Sequence, residues 1–318
     1  PFCAADCRPA VAHASPEKRL LMSITLCGLA YVCPVFCSAR LVSCRGGTSR
    51  VCLCYRNVKK ERKMNSSSAN FLDALGASQT LSAQMKHELD TLGYTVVHNV
   101  VDAQWLSEMR LLIDTLVERE GDNLAMEHHQ EATATRIANL INKGVIWEKV
   151  WSHPLILSAC RYIFNGDFKV SSLNAREALY NGGHQPLHAD WKKPRPDFPK
   201  VHLVNTIWAI DDLSAANGAP RIIPGTHLRP ELPEEVLADP EQAHPDEIVF
   251  AAPAGSVMIY NAHAWHGGTR NREGSRRRVL HGLYIDRADT PQQDQRRWLT
   301  PETASRLTPA QKWLLDVE

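Results

Sequence analysis

Two histidines and an aspartate, His184, His188 and Asp190, fall within seven positions of the stretch GGHQPLHADW, residues 182–191. Imidazole nitrogens and a carboxylate oxygen are ligands for a first-row divalent metal. Two histidines with one carboxylate leave up to three coordination positions open, which suits ferrous iron that must take a chelating co-substrate and oxygen. On extended backbone alternate side chains share a side, so His188 and Asp190 point together while Ala189 points away. His184 lies across Pro186 and next to Gly182-Gly183, which places it on the preceding turn. The third ligand has to come from a distant strand. The segment YNAHAWHGGTR, residues 260–270, offers His263 and His266 at the end of a predicted strand. A lone His-x-Asp is a weak signal, and its weight depends on what accompanies it.

The elements that must position these groups are legible from residue 80 onward. Leu81, Met85, Leu89 and Leu92 recur at helical spacing, and Gly93 ends that helix before the strand-like YTVVHNVV. Asp102 caps a second helix carrying Leu106, Met109, Leu112, Ile113 and Leu116 on its apolar side. Residues 121–134 read as polar loop, and RIANLINKGVIWEKVWSHPLILSACRYIF supplies two more short helices, with Pro154 early in the second. After Gly166 the rhythm changes. FKVSSLNAREALY, VHLVNTIWAIDDL, PRIIPGTHL, EIVFAAP, GSVMIYNAHAW and RRVLHGLYIDR are rich in β-branched and aromatic residues and are separated by Gly/Pro turns. That pattern predicts an antiparallel sandwich or barrel rather than alternating β-α units. Thr300-Pro301 and Thr308-Pro309 each read as a cap followed by proline at the first helical position.

The chain of 318 residues carries a formal net charge of +1, which suggests no polyanionic partner such as nucleic acid. The average hides an asymmetry. Residues 1–63 hold eleven Lys/Arg and three Asp/Glu, a net of +8, leaving −7 for residues 64–318. Eight of the nine cysteines lie in the first 54 residues, and only Cys160 lies beyond them. Residues 1–63 read as a Cys-rich basic leader outside the folded domain, either translated upstream sequence or a targeting segment built on the mostly apolar run Leu20 to Ala39. The folded domain is expected over residues 64–318. Its single cysteine fits a reducing compartment, so a cytoplasmic location is expected, with organelle targeting or a membrane anchor as the alternative if residues 20–39 are a genuine leader.

Five motifs in order give the metal pair its company. They are Gln185-Pro-Leu-His188-Ala-Asp190, Trp208-Ala-Ile-Asp211-Asp212, and Asn217-Gly218 through Pro224-Gly225-Thr226-His227. Gly255-Ser256 leading to His266-Gly267-Gly268 follows, and then Asn271 with Arg277. Over about Leu81 to Arg287 the sequence resembles the phytanoyl-CoA dioxygenase family of Fe(II)/2-oxoglutarate oxygenases. The resemblance implies a mainly β fold with flanking helices around a double-stranded β-helix (jelly-roll, cupin-like) core. It implies His188, Asp190 and His266 as metal ligands, because His266 lies eleven residues after Gly255 and eleven before Arg277, as in the family. Arg277 is implied to pair with the distal carboxylate of 2-oxoglutarate, its neighbours Arg276 and Arg278 being the residues confusable with it. Gln185 and Asn174 match positions that hydrogen-bond the co-substrate, and Trp208 one that packs beside it. Where relatives have Ser or Thr two residues after the distal histidine this chain has Gly268, so that hydroxyl contact is lost or supplied by Thr269. His227 is expected to be structural.

The implied cofactors are Fe(II), 2-oxoglutarate and O2, and the implied reaction is hydroxylation of an unactivated C–H bond of a small organic substrate, with release of succinate and CO2. Asp190 favours hydroxylation over halogenation, while desaturation or ring formation stays open. Lys192, Lys193, Arg195 and Lys200 of WKKPRPDFPKVH read either as a lid meeting an anionic substrate or as an ordinary solvated loop. A non-catalytic metal- or ligand-binding scaffold is the alternative of another class.

Overall fold

Among the described residues nine strands carry the site: β1 (Tyr94–Val97), β2 (Ala134–Ile137), β3 (Phe168–Ala178), β4 (Leu203–Ala209), β5 (Pro220–Ile222), β6 (Ile248–Val249), β7 (Val257–Asn261), β8 (His266–Gly268) and β9 (Arg278–Asp286). The computed structural model describes residues 66–317, apart from 79, 128, 129 and 194. The leader assigned to residues 1–63 lies outside them. A six-stranded antiparallel sheet has the order β1-β7-β4-β9-β3-β2, and a three-stranded sheet has the order β6-β5-β8. The two face each other as a jelly-roll core.

The large sheet is covered on both faces, so its strands read as nearly continuous apolar runs. One face of β4, β7 and β9 turns Val204, Trp208, Val257, Ile259, Leu280 and Tyr284 toward a helical layer. That layer presents Met109, Ile113 and Leu116 of the helix Ala103–Glu120, and Ile156 and Leu157 of the helix Pro154–Phe164. The opposite face turns Leu203, Ile207, Ala209, Met258, Tyr260, Val279 and Leu283 into the barrel, against Ile222 and Phe250 from the region of the small sheet. Each fully buried aliphatic side chain removes enough apolar surface to contribute about 1.5–3 kcal/mol.

The caps at Asp102, Thr300 and Thr308 behave as read, and Ser82 adds one that was not. Asp102 accepts from the Trp105 amide, Ser82 from Met85, Thr300 from Thr303 and Thr308 from Gln311. Four segments differ from expectation. The stretch before the first expected helix is itself ordered, because Ser66–Ala74 is a helix whose Leu72 is fully buried and whose Ser68 hydroxyl donates to Asp167. Ala134–Ile137 is β2 rather than loop and helix, since pairing with the edge of β3 gives its amides partners that local sequence does not reveal. His266 opens a separate short strand, β8, rather than ending the strand before it, because the turn at residues 262–265 divides the two. His188 is extended, but it joins the sheet only through a single antiparallel bridge to His266. Among the described residues no helix is long and apolar enough to cross a membrane.

Candidate active site

The bridge between His188 and His266 is the joint of the site. Their backbones exchange both hydrogen bonds, at 2.8 and 2.9 Å, which sets the two imidazoles side by side with ring centroids 4.4 Å apart. Asp190, two residues on, comes round to the same side. One ligand atom from each of His188, Asp190 and His266 lies within 4.8 Å of the others. The Nδ1 of His188 donates to the Pro186 carbonyl at 2.8 Å, and the Nδ1 of His266 donates to Ala264 at 2.9 Å. Both Nε2 atoms therefore face Asp190, at 3.9 and 3.5 Å from its Oδ1. Backbone carbonyls that fix the ring tautomer in this way are the usual outer partners of metal-binding histidines.

The electrostatics suit a cation. Burial would raise the Asp190 carboxyl, but the charge and hydrogen bond of His266, with His188 and Asn205, hold it well below the usual carboxylate range. Burial opposes protonation of His266 too, yet Asp190 lifts its pKa above the ordinary imidazole value. His188 goes the other way, pushed down to about 4 by burial and by the neighbouring His266. Of the three groups His266 thus holds a proton most readily, and any proton on it must leave when a divalent cation arrives.

Two residues that sequence reasoning passed over hold the carboxylate in place. The Asn205 amide donates to Asp190 Oδ2 at 3.0 Å, and the Tyr260 hydroxyl lies 3.5 Å from the same oxygen and 3.2 Å from His266 Nε2. Both are inward positions of β4 and β7. An asparagine in the middle of the mostly apolar VHLVNTIWAI was the available signal.

Arg277 is 1% exposed, and its Nε and Nη1 are buried without a hydrogen-bond partner. Burial, and then the nearby Arg176, push its pKa down to about 9. Its neighbours differ. Arg276 is a half-exposed surface residue paired with Glu177 and Asp114. Arg278 makes a two-pronged pair with Asp211, at 2.8 Å on each arm. Of the three consecutive arginines, only Arg277 carries buried, unpartnered donors. Beside it Glu131 binds both Arg176 and Arg136, and those hydrogen bonds and charges overcome the upward effect of burial to bring its carboxyl to about 2.

Four other expected contacts need correction or refinement. Trp208 does not face the barrel. It lies on the helix side of β4, donates to the Thr206 hydroxyl at 3.1 Å and meets Trp105 and His153 edge-on. Thr269 cannot donate into the site, because its hydroxyl is spent on the Ala219 carbonyl at 2.7 Å. Asn174 faces inward, but its oxygen accepts from the Asn139 amide and Gln293, and its amide donates to Gln292. Gln185 stays beside the site, its side-chain oxygen 3.2 Å from where a Cβ on Gly268 would sit. That Cβ would also collide with the Gly183 carbonyl, which is why no hydroxyl side chain fits at position 268. His184 pairs with Glu241, His263 accepts from the His202 amide, and His227 packs against Gly93, so none of them joins the triad.

The sequence of residues 89–279 matches the family model for phytanoyl-CoA dioxygenase (PhyH). The chain belongs to the phytanoyl-CoA dioxygenase family. Its enzyme class is that of 2-oxoglutarate-dependent non-haem iron dioxygenases. An uncharacterized protein of Mycobacterium tuberculosis is 26% identical over 210 residues, covering 62% of this chain and 72% of its own. Dioxygenase andF of Emericella variicolor is 23% identical over 206 residues, covering 60% and 69%. HygX from Streptomyces hygroscopicus, solved with nickel, 2-oxoglutarate and hygromycin B bound, shares the fold at a TM-score of 0.55 and 15% identity, over 66% of this chain and 90% of that one.

Proposed function

We propose that this phytanoyl-CoA dioxygenase family member is an Fe(II)/2-oxoglutarate hydroxylase of a small organic molecule, with His188, Asp190 and His266 holding the metal and Arg277 holding the distal carboxylate of the keto acid. The observation that carries the reading is Arg277: a buried guanidinium with two unpartnered donors in the interior of the same barrel as the triad. Buried polar groups normally have partners. A bidentate carboxylate is the partner a guanidinium fork fits. HygX holds 2-oxoglutarate and a small-molecule substrate in the same fold, which supports that ligand class here.

When bound, the ferrous ion and 2-oxoglutarate supply the activation of dioxygen that C–H oxidation needs, with succinate and CO2 as co-products. The chain's own residues do the rest. His188 and His266 offer neutral Nε2 lone pairs whose direction the Pro186 and Ala264 carbonyls fix. Asp190 supplies one negative charge, its rotamer held by Asn205. Arg277 orients the keto acid, and the apolar interior around Ile207, Leu283 and Met258 excludes water from the reacting bond.

Three of the four cations in the loop after His188 and Asp190 are held by the protein itself. Arg195 donates to the Arg229 and Lys200 carbonyls, Lys200 pairs with Asp286 at 3.2 Å, and Lys193 lies over the Trp191 ring. Lys192 has no such contact among the described residues, and its charge acts on His188, so one cation of the loop is placed to meet an anionic group on the substrate.

The test is anaerobic titration of the Fe(II)-loaded chain with 2-oxoglutarate, followed by the weak visible charge-transfer band of a chelated keto acid, then admission of oxygen and assay of succinate. A band that is lost in His188→Ala is the expected result. A folded wild-type protein without the band overturns the reading. Product mass then separates hydroxylation from desaturation or ring formation.

A further inference from the structure

The register of the large sheet orders the barrel interior into rows. Tyr260, Asn205, Leu283 and Ser172 lie across one row; Met258, Ile207, His281 and Asn174 across the next; Ala209, Val279 and Arg176 across the third. Successive inward residues of one strand are about 7 Å apart. The first row meets the triad, since Asn205 and Tyr260 touch Asp190. Arg277 lies just before β9, past the third row. His281 is thus the polar side chain of β9 between the two ends of the site. Alternation turns it inward: Val279 and Leu283 belong to the barrel interior, whereas Leu280 and Tyr284 pack against the helices.

We propose that His281 positions the co-substrate, its imidazole hydrogen-bonding the keto acid that lies between the triad and Arg277. This inference rests on the reading of the site given above. Neither ring nitrogen has a hydrogen-bond partner among the described residues. Its cross-strand neighbour Asn174 is turned to Gln292 and Gln293 instead. A half-buried imidazole turned into the barrel between Ile207 and Asn174, with neither nitrogen engaged by the protein, leaves both ring nitrogens free for a ligand. Burial, then the charges of Arg136, Arg176 and Arg277, hold its pKa well below the ordinary value, against the opposing pull of Asp190. The ring is therefore neutral near pH 7, with one N–H to donate. The same balance shows it within electrostatic reach of both ends of the site.

The experiment compares wild type, His281→Leu and His281→Gln as full-length, Fe(II)-loaded, anaerobic proteins. Two quantities are read: the 2-oxoglutarate dissociation constant from the charge-transfer band, and the Fe(II) dissociation constant from competition with a chelator. Leucine removes the donor at similar volume and suits an apolar row, while glutamine keeps a donor. The expected result is 2-oxoglutarate binding weakened at least ~10-fold in His281→Leu, as for loss of a hydrogen bond to a charged group. Fe(II) affinity should stay within about threefold, and His281→Gln should recover most of the loss. His281→Leu binding 2-oxoglutarate within about twofold of wild type, or His281→Gln failing as badly as leucine, overturns the inference while leaving the reading of the site intact. A wild-type protein without the band overturns both.

Discussion

Replacing Arg277 with methionine separates two effects that only a ligand-binding arginine combines. Without co-substrate, the wild-type protein bears the cost of a buried cation whose Nε and Nη1 have no partner. Exchanging buried charge for apolar volume is often stabilising by about 1–4 kcal/mol. Arg277→Met should therefore raise the melting temperature of the ligand-free protein by roughly 5 °C, at about 2–4 °C per kcal/mol for a domain of this size. With 2-oxoglutarate the order reverses. Two charge-assisted hydrogen bonds at about 1.5–3 kcal/mol each are lost, and each 1.4 kcal/mol is tenfold in affinity. The dissociation constant should rise by a factor of about 10² or more. Saturating 2-oxoglutarate, which stabilises the wild type by mass action, should then leave the variant's melting curve unmoved. The assay is differential scanning fluorimetry with and without the keto acid, beside anaerobic titration. A variant that binds 2-oxoglutarate within about threefold of wild type refutes the assignment. It cannot be rescued by moving the role one residue, because Arg276 and Arg278 are already paired with Glu177 and Asp211.

Asn205→Ala should weaken Fe(II) binding by about 10–100-fold, because Asp190 loses the donor that fixes its rotamer; chelator competition reads this, and an unchanged affinity sinks the positioning role. Trp208→Leu should cost about 2–4 kcal/mol of stability by leaving space in the helix-side core, while the 2-oxoglutarate affinity of the surviving folded protein stays unaltered; a selective affinity loss would place the tryptophan in the site after all. Metal binding should strengthen with pH. His266 is raised above the ordinary histidine value by Asp190, so below that raised pKa a proton competes for the ligand, and affinity should climb up to tenfold per pH unit until the proton is gone. In the metal-free protein the same shift has the opposite sign for folding. A raised folded pKa stabilises below the unfolded value near 6.5, and that contribution is lost as pH rises through the folded pKa. Titrations at pH 6, 7 and 8 decide it, and a flat profile for metal binding refutes proton competition at His266.

Much of the molecule was legible in one dimension because its determinants are local. Helix caps at Asp102, Thr300 and Thr308 depend on a side chain reaching an amide three residues on. The strands from Phe168 onward announce themselves by β-branched and aromatic residues between Gly/Pro turns, and the motif order from Gln185 to Arg277 carried the family. The sequence also sufficed to pair His188 with Asp190, because alternation along extended backbone is a property of the chain itself.

Tertiary structure decided the rest, for a physical reason in each case. Facing direction in a strand buried on both sides cannot be read from polarity, so Trp208 looked like a site residue until its face of β4 was known. Which of three adjacent arginines is left with unpartnered donors depends on whether acids elsewhere in the fold pair with the other two, and Asp114, Glu177 and Asp211 come from three different parts of the chain. Glycine at position 268 is required by the Gly183 carbonyl, a neighbour eighty-five residues away in the chain. Asn205, Tyr260 and His281 gain their places only when β4, β7 and β9 align in register, since cross-strand neighbours are fixed by hydrogen bonds between segments and not by anything within one.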